Sequence, residues 1–571
     1  MKSLARRAAD SWLRLTLLCS GAAALAWFLI RVIPKPSRAT YPCQRAAFPV
    51  ASAFVIWLTG SFAGISAGQW LRRKGVLLAG VAATVVVVVW SVTTLPGLGK
   101  AASTPAIDPA RYNWTPEATN QPIGVAKGIH PGRVVWTRDP AATKWAGNWK
   151  EKSDQWWLDQ NTDQSRVDAM LSATIQKLTN AGSDEQAWDA LFRYYNRTAK
   201  NLSDRGYHPG EVVAVKINLN NSSANKADNQ TDATPQMVLA MVRQLVNMAH
   251  VAQGDILVYD ARRPMHPYIL TKVWSEFKDV RFVQERAPVA AQPKNPAYGD
   301  YHGLEAANWV EGVAYSNGKY DQARYIPKQV MDATYLVNLA LLKCHSYPYN
   351  YMENGDQGQT ALTMIGKSHF GSIRGTAELH AAINTDQEAT KKGSYSPMVD
   401  LVAAPNLGAK TVLYVLDGLY CGRKWRSYPL HFPNPPFNNR VTPYENTDWP
   451  ACVLASQDPV ALDSVGLDIM YSQSKNNNEP SIGNKPRILI REFADDYLHE
   501  MALADNPPSG TAYTQGGKRL TSLGVHEHWD SDATMRYSRN LDPVHGKGIE
   551  LIYLPPAEPN NRSVAAANAG K

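Results

Sequence analysis

Residues 363–380, TMIGKSHFGSIRGTAELH, set Lys367, His369 and His380 among Gly366, Gly371 and Gly375. Glycine lets a backbone approach a ligand closely. A lysine in such a place can hold an oxyanion or, with a lowered pKa, act on a carbonyl compound. Imidazole is the usual general base near neutral pH and the commonest metal ligand. A second group follows the apolar run at 334–342: Lys343, Cys344 and His345. Neighbours on a strand point to opposite faces, so Cys344 and His345 do not read as a nucleophile with its base. The expected catalytic groups are therefore His345, Lys367, His369 and Lys343, with His345 and His380 as metal ligands. Lys216, Asn218, Asp417 and Asp463 are expected to bind substrate. Ammonium groups pair with anions and neutral imidazole ligates metals, so the residue types imply a small anionic ligand and a divalent metal.

Other patterns fall short of known motifs. Gly366–Lys367–Ser368 resembles the tail of a phosphate loop, but Ala361 stands where the first glycine is needed. His526–Glu527–His528 lacks the spacer of a zinc-protease helix and reads as a loop. Asp458, Asp463 and Asp468 share one predicted helix, DPVALDSVGLDIMY. Asp458 is its expected N-cap, with Pro459 in the first turn. Asp463 lies among apolar neighbours, and a buried carboxylate must be paired, hydrogen-bonded or bound to a cation.

The elements that must carry these residues alternate. EVVAVKINL is a buried-type strand, TPQMVLAMVRQLVNMA an amphipathic helix, DILVYDA a strand, PYILTKVWSEF a helix and VRFVQE a strand. Apolar strands follow at 334–342, 411–419 and 452–456, and HGKGIELIYL closes the pattern. This order predicts an α/β fold with a mostly parallel sheet and βαβ crossovers over 206–555. In such sheets ligands bind beyond the carboxyl ends of strands, where Lys216, Asn218, Asn220, Asp260, Lys343 and Asp417 fall. Residues 126–205 hold six tryptophans and predict a helical N-terminal cap, the rings packing on the main domain. A glycan-stacking surface is the other reading of those rings. Residues 101–125 read as a linker and 556–571 as a disordered tail.

The chain has 571 residues and a net charge of +9. Residues 1–100 hold 12 Lys and Arg against one acid, while the remainder balances 47 against 49. The excess is thus confined to the N-terminal segment, and no nucleic-acid partner is expected. Three apolar stretches within residues 1–100 are each about 20 residues long, which predicts three transmembrane helices. Lys and Arg in their flanks would place the rest of the chain outside the cytoplasm, on a bacterial-type plasma membrane. The lipid bilayer is then an expected partner. The five cysteines include no C-x-x-C pair, so no iron–sulfur cluster is expected.

VVAVKINLN, YLVNLALLKCH, TMIGKSHFGSI, ELH, MVDL, YVLDGLYCG and LASQDPVALDSVGLDIM occur in this order. Over roughly 210–475 they resemble the domain-of-unknown-function family 362, whose closing motif matches Ser456 to Asp463. Many members of that family join the domain to a ferredoxin-like module, whose cysteine pattern is missing here. A fainter similarity links Lys367, His380 and His345 to the nickel-pincer lactate racemases, although MIGK has one glycine where those enzymes have a pair. An enzyme acting on a small anion is the expected function. The alternative is a non-catalytic metal- or anion-binding protein serving a membrane partner.

Overall fold

A computed structural model describes residues 118–220, 229–345, 361–384, 393–422, 427–432, 434–437, 448–474 and 495–555. Ten strands form its main sheet: β1 (Arg133–Arg138), β2 (Val213–Ile217), β3 (Ile256–Tyr259), β4 (Arg281–Gln284), β5 (Leu304–Ala306), β6 (Tyr335–His345), β7 (Ala361–Leu362), β8 (Thr411–Gly422), β9 (Cys452–Ser456) and β10 (Glu550–Leu554). Their order is β10-β1-β9-β8-β6-β2-β3-β4-β5, with β7 paired to β6. The run from β8 through β6, β2, β3 and β4 to β5 is parallel. β9 is antiparallel to both β8 and β1, and β7 is antiparallel to β6.

Strand alternation sorts the two faces. Val213, Val215, Ile217, Tyr335, Val337 and Leu339 pack on one side with helices α1 (Gln164–Thr179), α2 (Asp184–Ala199), α3 (Pro235–Arg243) and α4 (Pro267–Trp274). Ala214, Leu336, Ala340, Leu342 and Cys344 pack on the other. That second face meets the short α5 (Ile365–Ser368), α6 (Thr376–Asn384), α7 (Pro397–Ala403), α8 (Pro459–Ser474) and α9 (Asp496–Ala502). Period-two burial in the strands therefore dictates a helix–sheet–helix layering.

The expected fold class needs two corrections. The three N-terminal transmembrane helices are not supported: among the described residues no helix is long and apolar enough to cross a membrane. The apolar stretches that suggested them lie outside the described residues. The tryptophan-rich segment is also more than a helical extension. Its β1 sits inside the sheet between β9 and β10, because RVVWTR carries the apolar run of a central strand. Five of the segment's six tryptophan rings are packing groups, and Trp149 is exposed. Trp136, Trp145, Trp156, Trp157 and Trp188 are buried, and Trp145 stacks on Trp449 at 5.4 Å.

Candidate functional site

β2 and β6 are neighbours, and the chain proceeds from β2 towards β5 on one side and from β6 to β8 on the other. This reversal is the place where an open α/β sheet forms a crevice. Register sets Lys216 beside Asn338 on β6 and Tyr259 on β3. The TMIGKSH segment folds over this point as α5 and one following 3-10 turn.

Asp463, Asn338 and Asn218 fasten that turn, and a buried ion pair lies beneath it. Asp463 of α8 accepts the backbone N–H groups of Ile365 at 2.8 Å and Gly366 at 3.0 Å. It also accepts the Tyr497 hydroxyl at 2.7 Å. Asn338 donates to the Ile365 carbonyl and lies 3.3 Å from His369 Nε2. Asn218 accepts the Ser368 hydroxyl at 2.8 Å. Lys216, fully buried, pairs with Asp260 at 3.2 Å directly under Gly371. A Cβ on Gly371 would lie 2.5 Å from Asp260 Oδ2 and 2.6 Å from Lys216 Nζ, so a larger residue there would have to push the buried pair aside.

Lys367 and His380 are brought together, with Lys367 Nζ 3.2 Å from His380 Nε2. His380 Nδ1 is 2.7 Å from the Thr376 carbonyl, which can only accept. Nδ1 therefore carries the ring proton, and Nε2 accepts from Lys367. Burial pushes His380 down to about 3, helped by the Lys367 and nearby arginine charges. Burial likewise holds His369 at about 3. Burial, then the charge of Lys343, drives Lys367 well below the ordinary lysine range. Lys343 is also fully buried and donates to the Cys344 carbonyl. Among the described residues neither Lys343 nor Lys367 forms an ion pair.

The other expected residues take different places. Asp417 accepts the Thr234 N–H at 3.0 Å and the Leu419 N–H at 3.1 Å, which ties β8 to the start of α3. Burial raises it to about 6. Asp463 also stands at about 6 for the same reason. His345 ends β6, and its side chain lies outside the described residues. A cavity of about 190 Å³ opens at the opposite ends of the strands, lined by Val212, Arg281 and Lys328 among others, and holds none of these groups.

Burial pushes Lys343 down to about 8, whereas an unfolded lysine titrates near 10.4. Between those values the unfolded chain binds more protons, so stability should rise with pH in that window. Lys343→Met is expected to reduce the rise, leaving the shares of Lys410, also near 8, and of the other buried lysines whose pKa burial lowers, Lys367 and Lys216. Urea midpoints at about pH 8 and about pH 10 check this. An unchanged slope in the variant would reject the assignment.

A second cluster lies behind the turn. Asp495, His499 and His526 are buried, and one ligand atom from each lies within 4.8 Å of the others. They form a candidate metal-binding triad. Sequence reasoning missed Asp495 and His499, and it set His526 aside as part of a loop. The signals were present: Asp495 and His499 are four apart, and so share a helix face. His526 and His528 are two apart, and so share one side of an extended chain. Their rings are 4.9 Å apart. The segment enters as a two-residue strand, Val525–His526, paired with Ile123–Gly124, which is why the helix-based argument against it did not apply.

Fold and site together define an α/β protein that buries a lysine–histidine centre at the switch point of its sheet. Residues 213–468 match the family model described as Domain of unknown function (DUF362). This match supports, over those residues, the resemblance that the ordered motifs indicated. No curated protein matches the chain. The match includes Lys216, Lys343, Lys367, His380 and Asp463 but ends before Asp495, His499 and His526.

Proposed function

We propose that the chain is an enzyme that holds a small anion at Lys343 and Lys367 and moves a proton next to the anionic group. The supporting observation is the pair of buried lysines without ion-pair partners among the described residues, one of them bonded to a histidine. An unpaired buried ammonium is costly. The site therefore rests with Lys367 neutral and gains from a carboxylate or phosphate. The lone pair of the Lys367 amine is the base, and His380 orients it by accepting one of its hydrogens. Lys343 supplies the charge that binds the anion.

The test uses the full chain, with inorganic phosphate and small 2-hydroxy and 2-oxo carboxylates as probes. Calorimetry at about pH 9, in buffers of different ionisation enthalpy, is expected to show proton uptake as the anion draws Lys343, near 8 when free, into its charged form. Lys367→Met should weaken binding about 10–100-fold, the equivalent of a charge-assisted hydrogen bond. Exchange of the substrate α-hydrogen in deuterated water should vanish in the same variant. Failure of every anion to bind, or unchanged binding in Lys367→Met, would reject the site. Binding without exchange would favour the non-catalytic anion-binding reading, which the closed burial of Lys367 also suits.

A further inference from the structure

We infer that Asp495, His499 and His526 bind one divalent first-row transition-metal ion, which fastens α9 behind the turn that carries Lys367. Hydrogen bonds fix the ring tautomers. His499 Nδ1 is 3.0 Å from the Asp495 backbone carbonyl, an acceptor, so Nδ1 is protonated and Nε2 keeps its lone pair. His526 Nδ1 is 2.8 Å from Ser464 Oγ. The Ser464 hydroxyl gives its one proton to the Val460 carbonyl at 2.7 Å. Ser464 Oγ therefore accepts from His526, again leaving Nε2 with a lone pair. Metal-binding histidines are held in this way by an outer partner on the second nitrogen.

The third member supplies the independent observation. Asp495 is 1% exposed, and among the described residues its Oδ1 has no hydrogen-bond partner. Its one ion-pairing neighbour among the described residues is His528, whose Nε2 is 3.4 Å from Oδ2. His528 Nδ1 lies 2.8 Å from Asp468. Asp468 also accepts the Trp529 N–H and the Tyr537 hydroxyl, both at 3.0 Å. A buried carboxylate oxygen left without a donor, with two imidazoles within 4.8 Å of its residue, is the kind of acceptor that a cation satisfies. Two nitrogens and one oxygen suit zinc, iron(II), cobalt(II) or nickel(II) and not the hard ions magnesium and calcium. The centre reaches the Lys367 turn through one helix. Asp495 immediately precedes α9, His499 lies on it, and between them Tyr497 donates to Asp463, which holds Ile365 and Gly366.

The experiment takes the full chain made without a histidine tag, strips it with a chelator and titrates it with Zn²⁺ and then Co²⁺. One ion per chain, a Co²⁺ ligand-field band and a raised melting midpoint are expected. Asp495→Asn and His526→Gln should lose the band. Ser464→Ala, which keeps every ligand, should weaken binding about 10–100-fold, as removal of an outer-shell partner does. Lys367→Met and His380→Ala should bind the ion as wild type does, which separates this centre from the anion site. Chelation should also speed amide hydrogen exchange at Ile365 and Gly366. The inference is overturned if the stripped chain takes up no metal, or if folded Asp495→Asn and His526→Gln keep the band. The cluster would then be a metal-free network in which a protonated His528 bridges Asp468 and Asp495.

Discussion

Asp458→Ala is expected to cost about 4 kcal/mol or more, since each orphaned buried donor costs about 1–3 kcal/mol. The side chain is fully buried and serves four backbone N–H groups. Oδ1 accepts Val460 at 3.0 Å and Ala461 at 2.9 Å, which caps α8. Oδ2 accepts Lys127 at 2.9 Å and Val525 at 3.1 Å, which ties in two distant segments. Burial raises its pKa to about 7 against the pull of those donors. Both oxygens accept, so the geometry is that of the carboxylate. Asp458→Asn keeps one accepting oxygen and turns an N–H₂ towards the other pair, so an intermediate loss is expected. With total stabilities of about 5–15 kcal/mol, the alanine variant could fall below the folding threshold. Urea unfolding of both variants reads the effect, and a loss under about 1 kcal/mol for Asp458→Ala would contradict the account.

Lys216→Met should be nearly as damaging, at about 3–5 kcal/mol, the usual result of breaking a buried pair from one side. Methionine leaves the buried Asp260 carboxyl group, among the described residues, with the Leu219 and Arg262 N–H groups to hold it. Burial lowers the Lys216 pKa, and the Asp260 charge opposes the shift. The pair also carries Gly371, whose carbonyl accepts the Ala261 N–H at 2.8 Å. Its loss should therefore loosen the turn bearing Lys367 as well as the sheet. A double-mutant cycle with Asp260→Asn isolates the interaction, and a coupling of about 0.5–3 kcal/mol is expected. Strictly additive single losses would show that the two side chains act independently.

Both predictions concern residues that the sequence brought forward in different ways. Asp458 was legible as a cap, because an aspartate before Val-Ala with proline between is a local pattern. Lys216 was read as a substrate ligand from its place at a strand end. Its partner Asp260 is 44 residues away, and nothing in local spacing joins them. Asp463 shows the intermediate case. Its apolar neighbours required a partner for it, but the partners, Ile365, Gly366 and Tyr497, emerge only when α8, α5 and α9 pack together.

The sequence by itself determined the alternation of strands and helices, the cap at Asp458, the family motifs and the glycine-bordered lysine. These follow from interactions between residues a few positions apart. The tertiary structure alone decided that β1 enters the sheet, that Lys367 meets His380, and that Asp495, His499 and His526 converge. Such encounters depend on which faces are buried against which, and side chains far apart in the chain acquire partners only through that packing.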